Sequence, residues 1–128
     1  MNLLLDTHIA LWAITDDPKL PPAARALIAM PDNFVWVSAA SVWEIAIKRA
    51  LGRGDMPISS QQALEFFKQS GYRILPIDAA HATVVENLPA HHQDPFDRIL
   101  VAQALSEPMR LITHDATVAL YSDSIILV

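Results

Sequence analysis

The chain has 128 residues, 52% of them hydrophobic, with no cysteine and a formal net charge of −5. We expect a single domain spanning residues 1–128, because this much apolar material is enough for a substantial core. The absence of cysteine excludes disulfides, thiolate metal sites and cysteine nucleophiles, and it fits a cytoplasmic protein. No apolar run approaches the ~20 residues needed to cross a bilayer, so no membrane partner is expected.

The net charge bears on nucleic-acid binding. It argues against sequence-independent binding through a broad basic surface, because such affinity comes from Lys and Arg side chains that displace counterions from phosphates. Acidic residues gathered around divalent cations would nevertheless be neutralised locally. Composition therefore leaves a nucleic-acid partner open.

Short apolar runs alternate along the chain with longer stretches of helical spacing. Continuous apolar runs bounded by polar or turn residues are typical of strands buried on both faces of a parallel sheet. The predicted strands cover residues 3–5, 34–37, 74–77, 111–112 and 125–128. The predicted helices cover residues 9–14, 22–29, 39–51, 61–69, 79–88, 95–105 and 116–121. This alternation predicts βαβ crossovers and an α/β fold with a parallel sheet.

Glycine and proline mark several of the helix boundaries. Gly52 and Gly71 suit the ends of the third and fourth predicted helices. Asp94 followed by Pro95 is typical of a helix cap and the first helical residue. Residues 52–57 form the clearest predicted loop.

Acidic side chains stand at the ends of predicted strands or in the first turns of predicted helices. They are Asp6, Glu44, Asp97 and Asp115. Ligands of parallel sheets bind beyond the carboxyl ends of the strands, so we expect these carboxylates to meet at that edge. Oxygen-rich clusters of this kind hold Mg²⁺ or Mn²⁺. The sequence therefore predicts a catalytic metal site formed by all four residues.

Each acidic residue also has a structural interpretation. Asp6 and Asp115 are placed to cap the helices that follow them. Ser41 and Glu44 match a capping box, and Glu44 precedes Lys48 by the spacing of a favourable helical ion pair. None of these residues is decisive when taken alone.

Asp94 and Asp97 share one helix start. Pro95 makes Asp94 the natural cap, which leaves Asp97 one turn inside the helix and free to point toward a cation. The metal role is therefore assigned to Asp97. An acidic pair in the first turn would also stabilise the helix through its dipole without any catalysis.

The histidines give weaker signals than the carboxylates. His91 and His92 are adjacent, so their side chains point in different directions on either regular element and make a poor pair of ligands. His8 and His114 each stand beside a predicted ligand, where they would orient a phosphate or a water. Structural or surface roles are the favoured interpretation of both.

Taken together, several segments resemble the PIN-domain nucleases, and most of all the VapC toxins of type II toxin-antitoxin pairs. The segments are LLDTH (4–8), SVWEI (41–45), DPFDRILVAQA (94–104) and LITHD (111–115). The resemblance covers nearly the full length in the same order. The DPFDR helix start followed by AQA is its most specific part.

The resemblance implies a three-layer α/β/α fold, a central parallel sheet in the order 3-2-1-4-5 and a Mg²⁺- or Mn²⁺-dependent endoribonuclease site. Carried over by position, Asp6, Glu44 and Asp97 match the three core acidic residues, and Asp115 matches a more variable fourth. Such a site hydrolyses RNA phosphodiesters with a metal-activated water. The family implies products with 5′-phosphate and 3′-hydroxyl ends.

The resemblance also implies a homodimer and a cognate VapB-like antitoxin whose C-terminal segment lies over the active-site cleft. The apolar residues predicted to form the receiving groove, each with a core position as the alternative, are Ile9, Leu11, Trp12, Ile14, Trp43 and Ile47. Arg98 is a candidate for binding substrate phosphate, with a surface salt bridge as the alternative.

Other functions use a similar acidic cluster. A metal-dependent DNA nuclease or a phosphatase would need the same residue types. A receiver-like signalling module would accept a phosphoryl group on an Asp at a strand end and hold Mg²⁺ on neighbouring acids. That module needs an acidic pair near the end of the first strand, where the sequence has only Asp6. The positions of Asp97 and Asp115 in the last third of the chain favour the nuclease.

Overall fold

The computed structural model describes residues 1–53 and 56–128, which form an α/β fold. Five parallel strands make one sheet in the order β3-β2-β1-β4-β5. The strands are β1 (Asn2–Leu5), β2 (Phe34–Ser38), β3 (Arg73–Leu75), β4 (Arg110–Thr113) and β5 (Ile126–Leu127). The helices are α1 (Thr7–Ile14), α2 (Pro22–Ala29), α3 (Ala39–Ala50), α4 (Ser60–Gln69), α5 (Ala79–Val84), α6 (Pro95–Ser106) and α7 (Ala116–Ala119). The predicted fold class and strand order are confirmed.

The sheet is covered on both faces, as the continuous apolar runs predicted. Side chains alternate across a strand. On β1, Leu3 and Leu5 therefore enter one hydrophobic core and Leu4 enters the other, and all three are fully buried. The first core also contains residues of α1, α2 and α4, and the second contains residues of α6 and α7. Full burial of each such leucine contributes about 1.5–3 kcal/mol, which is why β1 tolerates no polar position between Leu3 and Leu5.

Several predicted elements end earlier than expected. The third strand stops at Leu75 because Pro76 has no N–H for the ladder. The helix predicted over residues 79–88 is α-helical only to Val84 and continues as a 3-10 turn over Val85–Asn87. Pro89 disfavours a helical Leu88, whose backbone is extended.

The two predicted glycine helix ends are confirmed. Gly52 and Gly71 follow α3 and α4 with φ of 67° and 81°, the left-handed conformation that glycine adopts without steric cost. The loop predicted over residues 52–57 is described only in part, because residues 54 and 55 lie outside the described ranges. No helix within the described ranges is both long enough and apolar enough to span a bilayer.

The sheet topology determines where a site can form. Strand order reverses at β1, which pairs with β2 on one side and with β4 on the other. Leu5 is in register with Ile112, so the residues after β1 and β4 leave the sheet side by side. The Asp6 N–H donates to the Ile112 carbonyl at 3.0 Å and extends this pairing by one residue. Ligands of open parallel sheets bind at such a reversal point.

Candidate metal centre

The predicted acidic side chains all line one cleft of about 230 Å³ at the carboxyl edge of the sheet. Asp6 and Asp115 come from the segments after β1 and β4, whereas Glu44 and Asp97 come from α3 and α6. The other lining residues are Thr7, His8, Lys48, His92 and Asp94. The structure therefore brings together all four residues that the sequence analysis singled out.

Asp6 is both a helix cap and a cleft residue. Its Oδ1 accepts the Ile9 N–H at 2.9 Å and caps α1, while its Oδ2 accepts the Thr113 hydroxyl at 2.6 Å. Burial raises the pKa of Asp6, although the hydrogen bonds from Thr113 and Ile9 oppose this effect. The structural and functional interpretations are thus compatible, since capping fixes the carboxylate at the cleft.

Glu44 is held on both sides and is only 4% exposed. The Thr7 hydroxyl donates to Oε1 at 2.7 Å, and Lys48 forms the predicted ion pair with Oε2. A carboxylate oxygen has about two lone-pair directions, so both oxygens keep capacity for a cation. The ammonium of Lys48 partly offsets the charge that a buried Glu44 brings into the cleft.

The capping box predicted from Ser41 and Glu44 is wrong. Helix α3 begins at Ala39, and Ser38 caps it by accepting the Ala40 N–H at 3.0 Å. Ser41 lies inside the helix and is fully buried, with its hydroxyl 2.9 Å from the Thr7 hydroxyl. The Ser41-to-Glu44 spacing does not mark the helix start, because Ser38 at the end of β2 already caps the helix.

Asp97 occupies the predicted position, one turn inside α6. Asp94 caps the helix by accepting the N–H groups of Phe96 and Asp97 at 2.8 and 3.4 Å. Burial, together with the nearby Asp94 and Asp6 carboxylates, raises the pKa of Asp97 to about 7. At neutral pH this side chain holds a proton or needs a cation, which is the demand that a metal ion meets.

Asp115 has the opposite electrostatics. It caps α7 by accepting the Thr117 N–H at 2.8 Å, and His92 Nε2 lies 3.2 Å from its Oδ2. Burial alone raises the pKa of Asp115, but the hydrogen bonds from Thr117 and His92 outweigh burial and lower it. Asp115 is therefore ionised at neutral pH, whereas ionisation of Asp97 is disfavoured.

His92 also belongs to the cleft, and it was not predicted from the sequence. Its Nε2 lies 3.2 Å from Asp115 and 3.4 Å from Asp97, and these three residues offer ligand atoms within 4.8 Å of one another. The adjacent His91 is exposed and packs its ring 5.0 Å from that of Tyr121. The two histidines diverge as predicted, but one of them points into the site. No spacing signal in the sequence distinguishes it.

Two threonines at the cleft were also missed. The Thr113 hydroxyl donates to Asp6 and accepts the Asp115 N–H at 3.0 Å, which links two of the predicted ligands. The Thr7 hydroxyl lies between Ser41 and the predicted ligand Glu44, and it donates to Glu44. Each threonine directly follows an apolar strand residue or a predicted ligand, and this position was the available signal.

Arg98 does not face the cleft. Its guanidinium donates to the carbonyls of Val85 at 3.0 Å, Pro89 at 2.9 Å and His92 at 3.3 Å, and to the Tyr121 hydroxyl at 3.0 Å. Both interpretations of the sequence, a phosphate-binding residue and a surface salt bridge, are therefore wrong. Arg98 instead ties down the loop before α6.

His8 and His114 flank Trp12. Their rings lie 5.9 and 6.1 Å from the indole. His8 is half-buried and lines the cleft, whereas His114 is exposed and contacts the Val128 carbonyl through Nδ1. His8 is thus the one of the pair that can meet a ligand in the cleft.

The predicted antitoxin groove is not one surface. Ile9 and Leu11 are 0% and 2% exposed and belong to the core, as their alternative interpretation held. Trp12 and Trp43 line different cavities, of about 400 and 290 Å³. Trp43 is 58% exposed and packs its ring 5.2 Å from that of Phe96. The large apolar side chains near the cleft therefore form two separate hollows.

The donor set of the cleft suits a hard divalent cation. Five carboxylates line it, the four predicted ones and Asp94. Burial raises the pKa of two of them, Asp6 and Asp97, and cysteine is absent from the chain. Carboxylate oxygens favour Mg²⁺ and Mn²⁺. The residues present therefore fit the predicted metal.

The chain is also similar to proteins of a known family. Residues 3–122 match the PIN domain family. Ribonuclease VapC22 of Mycobacterium tuberculosis (strain ATCC 25618 / H37Rv) is 32% identical over 118 residues, which cover 89% of this chain and 87% of that protein.

Solved structures show the same fold at lower identity. VapBC2 from Rickettsia felis, bound to a DNA fragment from their promoter, superposes with a TM-score of 0.71 at 18% identity, over 100% of this chain and 98% of the other. A toxin-antitoxin complex from Klebsiella pneumoniae gives 0.64 at 20% identity, over 97% and 95% of the two chains. The family match and the VapC relative, together with the cleft, show that the chain belongs to the PIN-domain family and is VapC-like.

Proposed function

We propose that this chain is a Mg²⁺- or Mn²⁺-dependent endoribonuclease, the toxin of a type II toxin-antitoxin pair, acting as one PIN domain over residues 1–128. The observation that carries the proposal is the convergence of four carboxylates on one cleft at the reversal point of the sheet. The 32% identity to a ribonuclease supports RNA as the substrate.

Asp6, Glu44, Asp97 and Asp115 are the residues that would hold the cation and act in catalysis. A divalent cation supplies two things at such sites, a lowered pKa for an attacking water and positive charge for the phosphodiester oxygens. The protein supplies rigidity, because the threonine hydroxyls and helix caps fix three of the four carboxylates before any ligand arrives. Preorganised charge of this kind costs no rearrangement during reaction.

Asp97 is the residue whose state depends most on the cation. With a pKa of about 7, its carboxyl is partly protonated near neutrality, and it would release that proton on binding a divalent ion. Lys48 and His8 line the cleft beside the acids. Both are candidates to bind a substrate phosphate.

The strand order argues against the receiver-like alternative. The order here is 3-2-1-4-5, whereas flavodoxin-like receivers have the order 2-1-3-4-5. The cleft also draws its acids from the segments after β1 and β4 and from the first turns or interior of α3 and α6, and only Asp6 among the lining acids directly follows β1. A DNA nuclease or a phosphatase would use the same carboxylates, so substrate choice is the matter for experiment.

A VapB-like antitoxin and a homodimer complete the proposal. The Klebsiella pneumoniae neighbour is a toxin-antitoxin complex, which supports a peptide partner for this chain. A dimer of the 14.1 kDa chain should elute with a mass of about 28 kDa by light scattering. A monomer mass at all concentrations would contradict that part of the proposal.

The deciding experiment offers the antitoxin-free protein total RNA, duplex DNA, single-stranded DNA and a phosphomonoester, with Mg²⁺ or Mn²⁺ and with EDTA. Asp6→Asn is the test variant, because asparagine caps helices as well as aspartate but brings no charge to the cation. Asp123→Asn is the matched control, since Asp123 is exposed and does not line the cleft.

The expected result is discrete RNA fragments from the wild type and the control, with none from Asp6→Asn or in EDTA. The fragments should carry 5′-phosphate and 3′-hydroxyl ends. Cleavage of DNA alone, or release of phosphate from the monoester alone, would replace the ribonuclease with the corresponding alternative. Equal cleavage of RNA by Asp6→Asn would remove the cleft from the mechanism.

A further inference from the structure

His92 is the side chain of the cleft whose role the acidic cluster does not explain. It lies in the loop before α6, and its side chain is 22% exposed. Its ring contacts carboxylates from two different elements, Asp97 of α6 and Asp115 after β4. It is thus the direct link between the two acids whose pKa values the fold moves in opposite directions.

The backbone of His92 is fixed by a closed hydrogen-bond network. Its N–H donates to the Tyr121 hydroxyl at 2.8 Å, and that hydroxyl donates to the His92 carbonyl at 3.2 Å. Arg98 donates to the same carbonyl at 3.3 Å and to the same hydroxyl at 3.0 Å. The imidazole is therefore held in place from α6 and from the segment after α7, independently of its contacts in the cleft.

The other ring nitrogen determines where the proton lies. The Asp94 backbone N–H donates to His92 Nδ1 at 3.0 Å. An amide N–H only donates, so Nδ1 presents its lone pair and the ring proton lies on Nε2. Nε2 is the atom that faces Asp115 at 3.2 Å and Asp97 at 3.4 Å.

We propose that His92 is a positioning residue of the metal centre, whose Nε2–H donates to Asp115 and lies against Asp97, so that the two carboxylates are held side by side for the cation. The inference rests on the proposed function, because it concerns the same cation. The same tautomer excludes His92 as a metal ligand. An Nε2 that carries a proton has no lone pair for a metal, so the ligand set contains no imidazole nitrogen.

The physical reason for such a donor is the closeness of the two acids, whose ligand atoms lie within 4.8 Å of each other. Without that hydrogen bond, two neighbouring carboxylates would move apart or take up a proton. Metal binding would then have to reverse that change, which weakens metal affinity. A shared N–H reduces that change in the free protein. Residues that orient metal ligands in this way typically account for about 10–100-fold in metal affinity.

The test measures Mn²⁺ affinity by titration calorimetry and by electron paramagnetic resonance, apart from any RNA cleavage. His92→Gln keeps an N–H donor at a similar reach from the backbone, and His92→Phe keeps a ring but removes the donor. His91→Phe is the matched control, because His91 is exposed and touches no carboxylate of the cleft. Circular dichroism and urea unfolding establish that each variant is folded.

We expect His92→Phe to bind Mn²⁺ about 10–100-fold more weakly than the wild type, and His92→Gln and His91→Phe to bind within about threefold of it. Spin-echo spectra of the Mn²⁺-loaded wild type should show no directly coordinated imidazole nitrogen. In the metal-free protein, ¹⁵N chemical shifts of His92 should report the tautomer protonated at Nε2.

Three results would overturn the inference. Wild-type affinity in His92→Phe would show that the donor positions nothing. A nitrogen coupling that disappears in His92→Gln would make His92 a ligand. The tautomer protonated at Nδ1 would remove the donor. Failure of the proposed function would give another result: the wild type would not cleave RNA, but His92→Phe would still bind Mn²⁺ more weakly than the wild type. A wild type that binds no Mn²⁺ refutes both.

Discussion

Replacing Asp97 with asparagine should stabilise the metal-free protein above pH 7 while removing its response to metal. Burial and the nearby Asp94 and Asp6 carboxylates raise the pKa of Asp97 from 3.8 to about 7. Because the folded-state pKa lies above the unfolded one, the stability that protonation contributes is fully present below about pH 3.8 and is lost as pH rises through about 7. Asparagine has the same shape and never acquires the charge.

The magnitude follows from the change in pKa. Moving the pKa of Asp97 from 3.8 to about 7 corresponds to about 4 kcal/mol for an unscreened group, since a tenfold change in an equilibrium constant is about 1.4 kcal/mol. The Asp97 side chain is 25% exposed and faces an open cleft, so water screens part of the free-energy cost of ionising it. We expect Asp97→Asn to gain about 1–2 kcal/mol at about pH 8, and less than half of that at about pH 5.

Urea unfolding in EDTA at both pH values measures the difference, with Asp123→Asn as the exposed control that should not change. Adding Mn²⁺ at about 100 times its dissociation constant should stabilise the wild type by about 2.7 kcal/mol and leave Asp97→Asn nearly unaffected. No gain for Asp97→Asn at high pH, or an equal gain at both pH values, would refute the argument that desolvation and like charge control this carboxyl.

Other perturbations test neighbouring parts of the site. Thr113→Val removes the hydroxyl that joins Asp6 to the Asp115 N–H, so calorimetry should show Mn²⁺ affinity lowered about 10–100-fold, and an unchanged affinity would contradict this role. Arg98→Met removes the guanidinium that donates to the Val85, Pro89 and His92 carbonyls and should cost about 2–3 kcal/mol in urea unfolding, whereas a neutral effect would show that water replaces the guanidinium. Mn²⁺ affinity of the wild type should rise about tenfold per pH unit below about 7 and level off above it, because the ion displaces the proton on Asp97, and a flat profile would count against that exchange.

The strands and the acidic cluster could be predicted because their causes are local or topological. Leu3, Leu4 and Leu5 form a continuous apolar run, and only a strand covered on both faces buries all three. Once the strands are parallel, their carboxyl ends share one edge, which is enough to bring Asp6 and Asp115 together. The order of the strands came from the family resemblance, since periodicity does not determine which strands pair.

Tertiary structure decided how the carboxylates are held and charged. Thr113 donates to Asp6 across 107 residues of sequence, and His92 reaches Asp115 across 23. The first contact depends on the pairing of β1 with β4 and the second on the loop before α6, and no local pattern encodes either. The hydrogen bonds of Arg98 also depend on tertiary structure, because the carbonyls that accept them lie in and after the 3-10 turn Val85–Asn87.

The sequence by itself determined the α/β class, the helix caps at Asp6 and Asp94 and the acidic residues that meet at the sheet edge. These features follow from side-chain periodicity and from hydrogen bonds between near neighbours in the chain. Only the folded structure decided that Asp97 resists ionisation while Asp115 does not. A pKa depends on burial and on charges a few ångströms away, and both exist only after distant segments have packed together.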